Sequence, residues 1–157
     1  MTPSNHAEQA VAMFQEGFNC AQAVLAACGA PLGLPRDVAL HVAGAMGGGI
    51  GGMGGSCGAV TGAIMTIGLK YAKTSPADDA SKQKAYQLAK QFAAQFKQRN
   101  ESIICRELLG CDISTPEGMK HFRESGLHGT VCPKLVRDAA EIVERLLAES
   151  QGQGDAK

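Results

Sequence analysis

The chain contains six cysteines, and their thiol groups are its main candidates for redox chemistry or metal binding. Thiolates attack disulfides and bind soft metal ions, and a helix N-terminus favours the thiolate because its partial positive charge stabilises the anion. Four of the six fall where a predicted helix begins: Cys20, Cys57, Cys105 and Cys132. We therefore predict that these four carry the chemistry, as redox thiols or as metal ligands. Cys28 and Cys111 fall at predicted helix C-terminal ends. We expect Cys28 to be a packing residue, and Cys111 could resolve Cys105 only if the chain curls back after Gly110.

The spacing of the cysteines excludes several familiar sites. No Cys-x-x-Cys occurs, which removes zinc ribbons and thioredoxin-like motifs. Cys20 and Cys28 on one helix would lie about 12 Å apart, too far for a direct disulfide. Any pairing or shared metal must therefore bring together cysteines from different elements.

A glycine-rich run precedes Cys57, and it reads as a loop because glycine is costly in a helix. Its G-x-G-x-x-G match (Gly47, Gly49, Gly52) follows a predicted helix, whereas a dinucleotide site requires a strand there. Because these glycines have no side chains, we expect the backbone of this loop to lie close to a cofactor, a thiol or a neighbouring helix. The candidate cofactor-binding residues are Gly52, Gly58 and Gly62, and tight helix packing alone is the alternative.

The four histidines show no metal-binding pair spacing. His128 lies four residues before Cys132 in a predicted loop, where it is a candidate ligand or base for that thiol. The other three are expected to be surface or hydrogen-bonded residues.

The elements that must position these residues are predicted to be helices, since apolar residues recur at helical spacing and no alternating pattern requires a strand. We predict an all-α domain over residues 1–150, a bundle of about six to eight helices, with a flexible tail over 151–157. The glycine-rich loop leads into a central buried helix from Cys57 to Tyr71. Other predicted helices start at caps Asn5 and Asn19, at Pro35, Pro116 and Pro133, and cover 77–99 and 103–109.

Composition limits the partners. Lys plus Arg number 15 and Asp plus Glu number 15, and aromatic residues make up 4%, so neither charge nor base stacking predicts a nucleic-acid partner. The sequence has no long apolar run and no apolar N-terminal leader, which predicts a cytoplasmic protein that is not embedded in a membrane. A disulfide framework is not expected in that reducing compartment. The small-residue surfaces favour a homodimer.

Four ordered segments carry a family resemblance: GFNCAQ at 17–22, CGAVTGA at 57–63, CRELLG at 105–110, and Cys132. Together they resemble the C-GCAxxG-C-C family of redox-active proteins over nearly the whole domain. The family's four cysteines map onto Cys20, Cys57, Cys105 and Cys132. The family label has Gly-Cys-Ala-x-x-Gly where this chain has Ser56-Cys57-Gly58-Ala59, which we interpret as a Cys-Gly-Ala-x-x-Gly form of the motif.

The resemblance implies a small redox-active or metal-cluster protein, and three hypotheses follow. In the first, Cys57 has a low pKa and attacks or is oxidised, and Cys20, Cys105 or Cys132 resolves it in exchange with a redox partner. In the second, the four thiolates hold an iron-sulfur cluster or another soft metal. In the third, the cysteines only pack in a structural domain.

Overall fold

The computed structural model describes residues 6–154, and in that range it is helical with no β-strand. This confirms the predicted all-α fold. The helices are α1 (His6–Glu16), α2 (Cys20–Gly29), α3 (Arg36–Val42), α4 (Gly58–Tyr71), α5 (Asp79–Asn100), α6 (Cys105–Leu109), α7 (Pro116–Glu124), α8 (Leu127–Thr130) and α9 (Cys132–Gly154), with a short 3₁₀ turn at Ala30–Leu32.

Helix α4 is the central element, as predicted. It packs most extensively against α2 and also against α5 and α9. Val60, Ala63 and Ile67 are buried in this core. The helix is not buried on every side, since Ile64 and Met65 are half-buried and Leu69 in the last turn is 43% exposed.

Two glycines let α4 lie against α2. A Cβ atom at Gly62 would be 2.9 Å from the carbonyl oxygen of Ala21, and one at Gly58 would be 3.1 Å from the Cβ of Cys20. Only glycine leaves room for this approach, since real Cβ atoms avoid such distances. The contact at Gly58 brings the first residues of the two helices together, and each helix carries a predicted functional cysteine there.

Asn19 caps α2, which confirms the sequence prediction. Its side chain accepts a hydrogen bond from the backbone N–H of Gln22, and the Gln22 side chain accepts one from the backbone N–H of Asn19. The Asn19 amide also donates to the carbonyls of Ala43 and Gly44. The cap therefore holds the start of α2 against the beginning of the glycine-rich run.

The glycine-rich run forms a left-handed turn, a structure that the sequence analysis predicted only as a loop. Its residues 48–52 all have φ between 58° and 74°. Backbone hydrogen bonds close the turn, from Gly52 N–H to the Gly47 carbonyl and from Gly55 N–H to the Gly49 carbonyl. Glycine adopts this conformation at little cost, so the high glycine content follows from the geometry.

Ile50 is the strained member of this turn, because a β-branched residue rarely adopts positive φ (67° here). We expect Ile50→Gly to raise the free energy of unfolding by about 1 kcal/mol, measured by chemical denaturation, because relief of the left-handed strain exceeds the entropy cost of glycine. Met53 is a matched control, since it is exposed in the same loop with ordinary φ. Met53→Gly should lose stability, and a similar loss in both variants would contradict the assignment of strain to Ile50.

Several helix boundaries differ from the predictions. The long C-terminal helix begins at Cys132, one residue before Pro133, and extends to Gly154. The residues before it form the short helix α8, where a loop was predicted. The third helix begins at Arg36, with Pro35 as its N-cap. The predicted cap Asn5 and residues 155–157 of the predicted tail lie outside the described residues.

Hydrogen bonds to the Asp138 carboxylate join α9 to the C-terminal end of α5. Its carboxylate accepts hydrogen bonds from Arg99 at 3.0 Å, Asn100 at 3.1 Å and Lys134 at 2.6 Å. Burial acts to raise the pKa of this carboxyl, but the three donors together hold it below its ordinary value. The carboxylate is therefore favoured in the folded protein.

This arrangement predicts a pH dependence of stability. A lowered pKa contributes stability that is present above the unfolded-state value of about 4 and is lost as the pH falls through the folded-state pKa. We expect Asp138→Asn to cost about 2 kcal/mol at pH 7 and to flatten the fall in stability between pH 5 and pH 3, as measured by urea unfolding. Asp79→Asn is the control, since that carboxylate is 78% exposed, and an equal effect there would contradict the prediction.

Candidate functional site

The structure places all four predicted cysteines around one cavity. Its volume is about 170 Å³, and Cys20, Cys57, Cys105 and Cys132 all line it. The other two cysteines do not line this cavity. Cys28 is buried in α2, in agreement with the expected packing role. Cys111 is half-buried near Cys105, whose pKa it helps to raise.

A short stretch of paired backbone brings Cys57 and Cys105 together. Ser56 and Ile104 form an isolated antiparallel bridge. On either side of it, the Cys57 N–H donates to the Ile103 carbonyl at 2.8 Å, and the Cys105 N–H donates to the Gly55 carbonyl at 2.6 Å. Two cysteines that are distant in sequence are thus held by main-chain hydrogen bonds, whose geometry does not depend on side-chain type.

Each of the four cysteines lies at the beginning of a helix. Cys57 is the N-cap of α4, and Cys20, Cys105 and Cys132 are the first residues of α2, α6 and α9. Cys132 was predicted as an N-cap and is instead the first helical residue. The prediction that the four cysteines share a helix-start position is otherwise confirmed, within one residue.

Cys20 and Cys132 are neighbouring thiols on the cavity wall. The interaction with Cys132 is the main reason why the pKa of Cys20 is raised well above its ordinary value, and burial and the nearby thiols add to it. The interaction with Cys20 lowers the pKa of Cys132, although burial opposes it. Two adjacent thiols do not both ionise easily, and the direction of the two shifts favours ionisation of Cys132 before Cys20.

Cys57 does not have the low pKa that its position predicted. Burial raises its pKa to about 11, although the backbone N–H groups of Ala59 and Val60 act to lower it. Cys105 is similar, since burial followed by the nearby thiols raises its pKa to about 12. Desolvation of the thiolate outweighs the helix N-terminus at both residues. Among the four cavity cysteines, Cys132 is the one whose pKa is lowered.

Most of the remaining cavity wall is apolar. Four aliphatic side chains line it: Leu108, Leu109, Ile113 and Leu135. The polar side chains of Asn19 and His128 also line it, and the described lining contains no Lys, Arg, Asp or Glu. Beyond the thiols and these two polar residues, the side chains around the cavity offer a guest an apolar surface.

Three aromatic rings form one side of the cavity. His128 stacks on Phe14 with ring centroids 4.5 Å apart, and Phe122 meets His128 edge-on at 6.2 Å. His128 is exposed to solvent and also lines the cavity. We call Phe14, Phe122 and His128 the aromatic mouth. His128 was predicted as a ligand or base for Cys132, and the contacts found for its ring are with these two aromatic rings.

Sequence reasoning missed most of these wall residues. Phe14 lies in α1 and Phe122 in α7, and no spacing in the sequence connects the two. Gly58 lines the cavity as predicted, but the other glycines that do so are Gly48 and Gly49. Gly52 and Gly62 lie outside its wall, and Gly62 serves the packing of α4 on α2.

Four thiols around one cavity raise the question of a metal site. Among residues 6–154, no three His, Cys, Asp or Glu side chains lie close enough to hold a single metal ion. A cluster of several metal ions spans its ligands more widely than one ion does. The arrangement of four thiols around an open centre is the feature that would suit such a cluster.

A comparison with protein-family models identifies the chain. Residues 18–146 match the model described as "Putative redox-active protein (C_GCAxxG_C_C)". The chain belongs to the C_GCAxxG_C_C family. The match includes all four cysteines of the cavity, and membership is consistent with a redox role. No curated protein and no solved structure matches the chain.

Two further observations concern this family member. Cys28 and Cys111 are additional to the four cysteines that the C_GCAxxG_C_C name records. In the part of the chain that the structure describes, no helix is both long and apolar enough to cross a membrane.

Proposed function

We propose that the protein carries out two-electron thiol–disulfide chemistry in the cavity, with Cys20 and Cys132 as the reacting pair. The observation that carries this proposal is the position of the two thiols on the wall of one cavity, where each shifts the pKa of the other and the other two thiols also converge. The Cys132 thiolate is the attacking group, because thiolates and not thiols are nucleophilic. Cys20 then resolves the product.

The proposed step balances as a simple oxidation. The two thiols lose two electrons and two protons to an oxidant, and one S–S bond forms between Cys20 and Cys132. A reducing dithiol reverses the step by thiol–disulfide exchange. We place this chemistry in the cytoplasm, where reducing systems would return the pair to the dithiol.

Cys57 and Cys105 have a supporting role in this proposal. Their raised pKa values keep them neutral near pH 7. Neutral thiols beside the reacting pair add no negative charge that would oppose formation of the Cys132 thiolate. If either thiol were ionised, its negative charge would oppose formation of the Cys132 thiolate. The same charge repulsion from Cys57 and Cys105 raises the pKa of Cys20.

An iron-sulfur cluster is the second candidate, favoured by the four thiols around one uncharged cavity. In that case the cysteines would act as ligands and the redox change would belong to the cluster. The two candidates differ in colour, since a cluster absorbs in the visible region and a dithiol does not.

A redox titration of anaerobically purified protein tests the proposal. Free thiols are counted after equilibration with mixtures of reduced and oxidised dithiothreitol. We expect two of the six thiols to be lost reversibly in one two-electron transition, without visible absorbance. Stoichiometric iron and sulfide with a visible spectrum would favour the cluster, and six thiols unchanged at every potential would contradict the dithiol proposal.

A further inference from the structure

The cavity has the size and walls of a site for a small apolar molecule. Its volume is about 170 Å³, and an engineered cavity of about 150 Å³ lined by Leu, Ile and Phe in another protein binds benzene. The wall here is of the same kind, with Leu108, Leu109, Ile113, Leu135, Phe14 and Phe122. One ring or a short branched alkyl group would fill it.

The same wall disfavours an anionic guest. The described lining has no Lys or Arg, and the charge that the proposed function places there is the negative charge of the Cys132 thiolate. An anionic ligand would have to leave water without a Lys or Arg partner, which costs several kcal/mol. The cavity therefore favours an uncharged molecule over an anion.

Burial of three of the four thiols, Cys132 among them, disfavours a large oxidant, whereas Cys20 is half-buried. Cys57 is 4% exposed, and Cys105 and Cys132 are 8% exposed. A cysteine on the surface of another folded protein could not reach these sulfurs without a rearrangement of the cavity. An oxidant that reacts at Cys132 in this structure must be small enough to enter.

Two backbone donors at the wall suit an oxygen atom. Gly48 and Gly49 line the cavity, and their N–H groups have no hydrogen-bond acceptor within the described part of the chain. Unpaired N–H groups next to an apolar cavity favour a guest with a hydrogen-bond-accepting oxygen. An oxygen that gains negative charge during a reaction would be stabilised more strongly.

From the cavity's size, its mostly apolar wall without Lys or Arg, its buried thiols and its two free N–H groups, we infer that the site reduces small uncharged organic hydroperoxides. This inference rests on the proposed function, since it requires the Cys20–Cys132 pair. The apolar body of the hydroperoxide occupies the space beside the aromatic mouth, and its oxygens lie toward the thiols.

The reaction proceeds in two balanced steps. The Cys132 thiolate attacks the outer peroxide oxygen, the O–O bond breaks, and the leaving alkoxide takes the proton of Cys20 to become an alcohol. Cys132 is then a sulfenic acid. The Cys20 thiolate attacks its sulfur, the S–S bond forms and the S–O bond breaks, and the hydroxide takes a proton from solvent to become water. A dithiol reductant restores both thiols.

The test compares two hydroperoxides that differ by one charge. Reduced full-length protein is mixed with cumene hydroperoxide or with its para-carboxylate analogue, and the rate of Cys20–Cys132 disulfide formation is measured by mass spectrometry. We expect cumene hydroperoxide to react at least about tenfold faster, since the carboxylate is not readily buried. Cumyl alcohol, which has the same body without the peroxide, should slow the reaction by competing for the cavity.

A variant extends the test. Leu108 is half-buried in the wall, and Leu108→Lys should reduce the preference for the uncharged hydroperoxide by providing a cation. Equal rates for the two hydroperoxides, with no protection of the wild-type protein by cumyl alcohol, would overturn the inference. If the Cys20–Cys132 disulfide still forms in dithiothreitol mixtures, the proposed function would stand. If neither oxidised dithiothreitol nor a hydroperoxide produces that disulfide, the proposed function itself would fail.

Discussion

Replacing Cys132 by serine is expected to abolish the reversible loss of two thiols and to remove the thiol that is alkylated fastest at pH 7. Serine cannot form a disulfide, and the remaining cavity thiols have raised pKa values. A thiol with a pKa of about 11 is only about 0.01% thiolate at pH 7. We therefore expect the alkylation rate with iodoacetamide, followed by mass spectrometry, to fall at least about tenfold.

Two further variants show whether the pair acts as described. Cys20→Ala removes the neighbouring thiol whose interaction lowers the pKa of Cys132, so the pH profile of Cys132 alkylation should move to higher pH. Cys28→Ala is the control, because Cys28 is buried in the same helix but does not line the cavity. An unchanged alkylation rate in Cys132→Ser would show that another cysteine is the reactive one.

Replacing Gly49 by alanine is expected to lower the free energy of unfolding by about 3 kcal/mol or more. The added Cβ would lie 2.5 Å from the backbone nitrogen of Gly55 and 2.7 Å from the Cβ of Cys105. Gly49 also has φ of 70°, which alanine adopts at a cost. A chain of this size should lose about 10 °C in Tm, measured by circular dichroism.

Gly52→Ala separates the two causes of the stability loss at Gly49, which are the steric clash and the left-handed backbone conformation. Gly52 has φ of 74° in the same turn, but a Cβ there would meet no atom within 4 Å. It should show only the cost of the left-handed conformation, about 1–2 kcal/mol. An equal loss in the two variants would show that Gly49 does not pack closely against Cys105. The larger loss of stability in Gly49→Ala should be accompanied by faster alkylation of Cys105, because the clash displaces the residues that bury this thiol.

Local chemistry explains what the sequence could predict. Asn19 with Gln22 three residues later specifies a helix start through its own side chains, and the apolar spacing of α4 specifies a buried helix. The four functional cysteines could be selected because helix starts and thiolate chemistry are both local properties. None of these predictions required knowledge of which helices meet.

The remainder of the site depends on tertiary contacts. The low pKa predicted for Cys57 was wrong because burial is a property of the whole fold, and it dominates the pKa of that thiol. The pairing of Cys20 with Cys132 joins the first residues of two helices that are far apart in sequence. The aromatic mouth likewise combines α1, α7 and α8. The left-handed turn was missed because glycine content predicts conformational freedom but not one particular conformation.

Mapping the disulfide formed under mild oxidation tests the central claim most directly. Protein equilibrated with oxidised dithiothreitol is alkylated, digested without reduction and examined by mass spectrometry for every pair of its six cysteines. The account predicts one dominant crosslinked peptide pair that joins Cys20 to Cys132, reversed by reduced dithiothreitol. A dominant disulfide that omits Cys132, or oxidation that leaves both residues as free thiols, would contradict it.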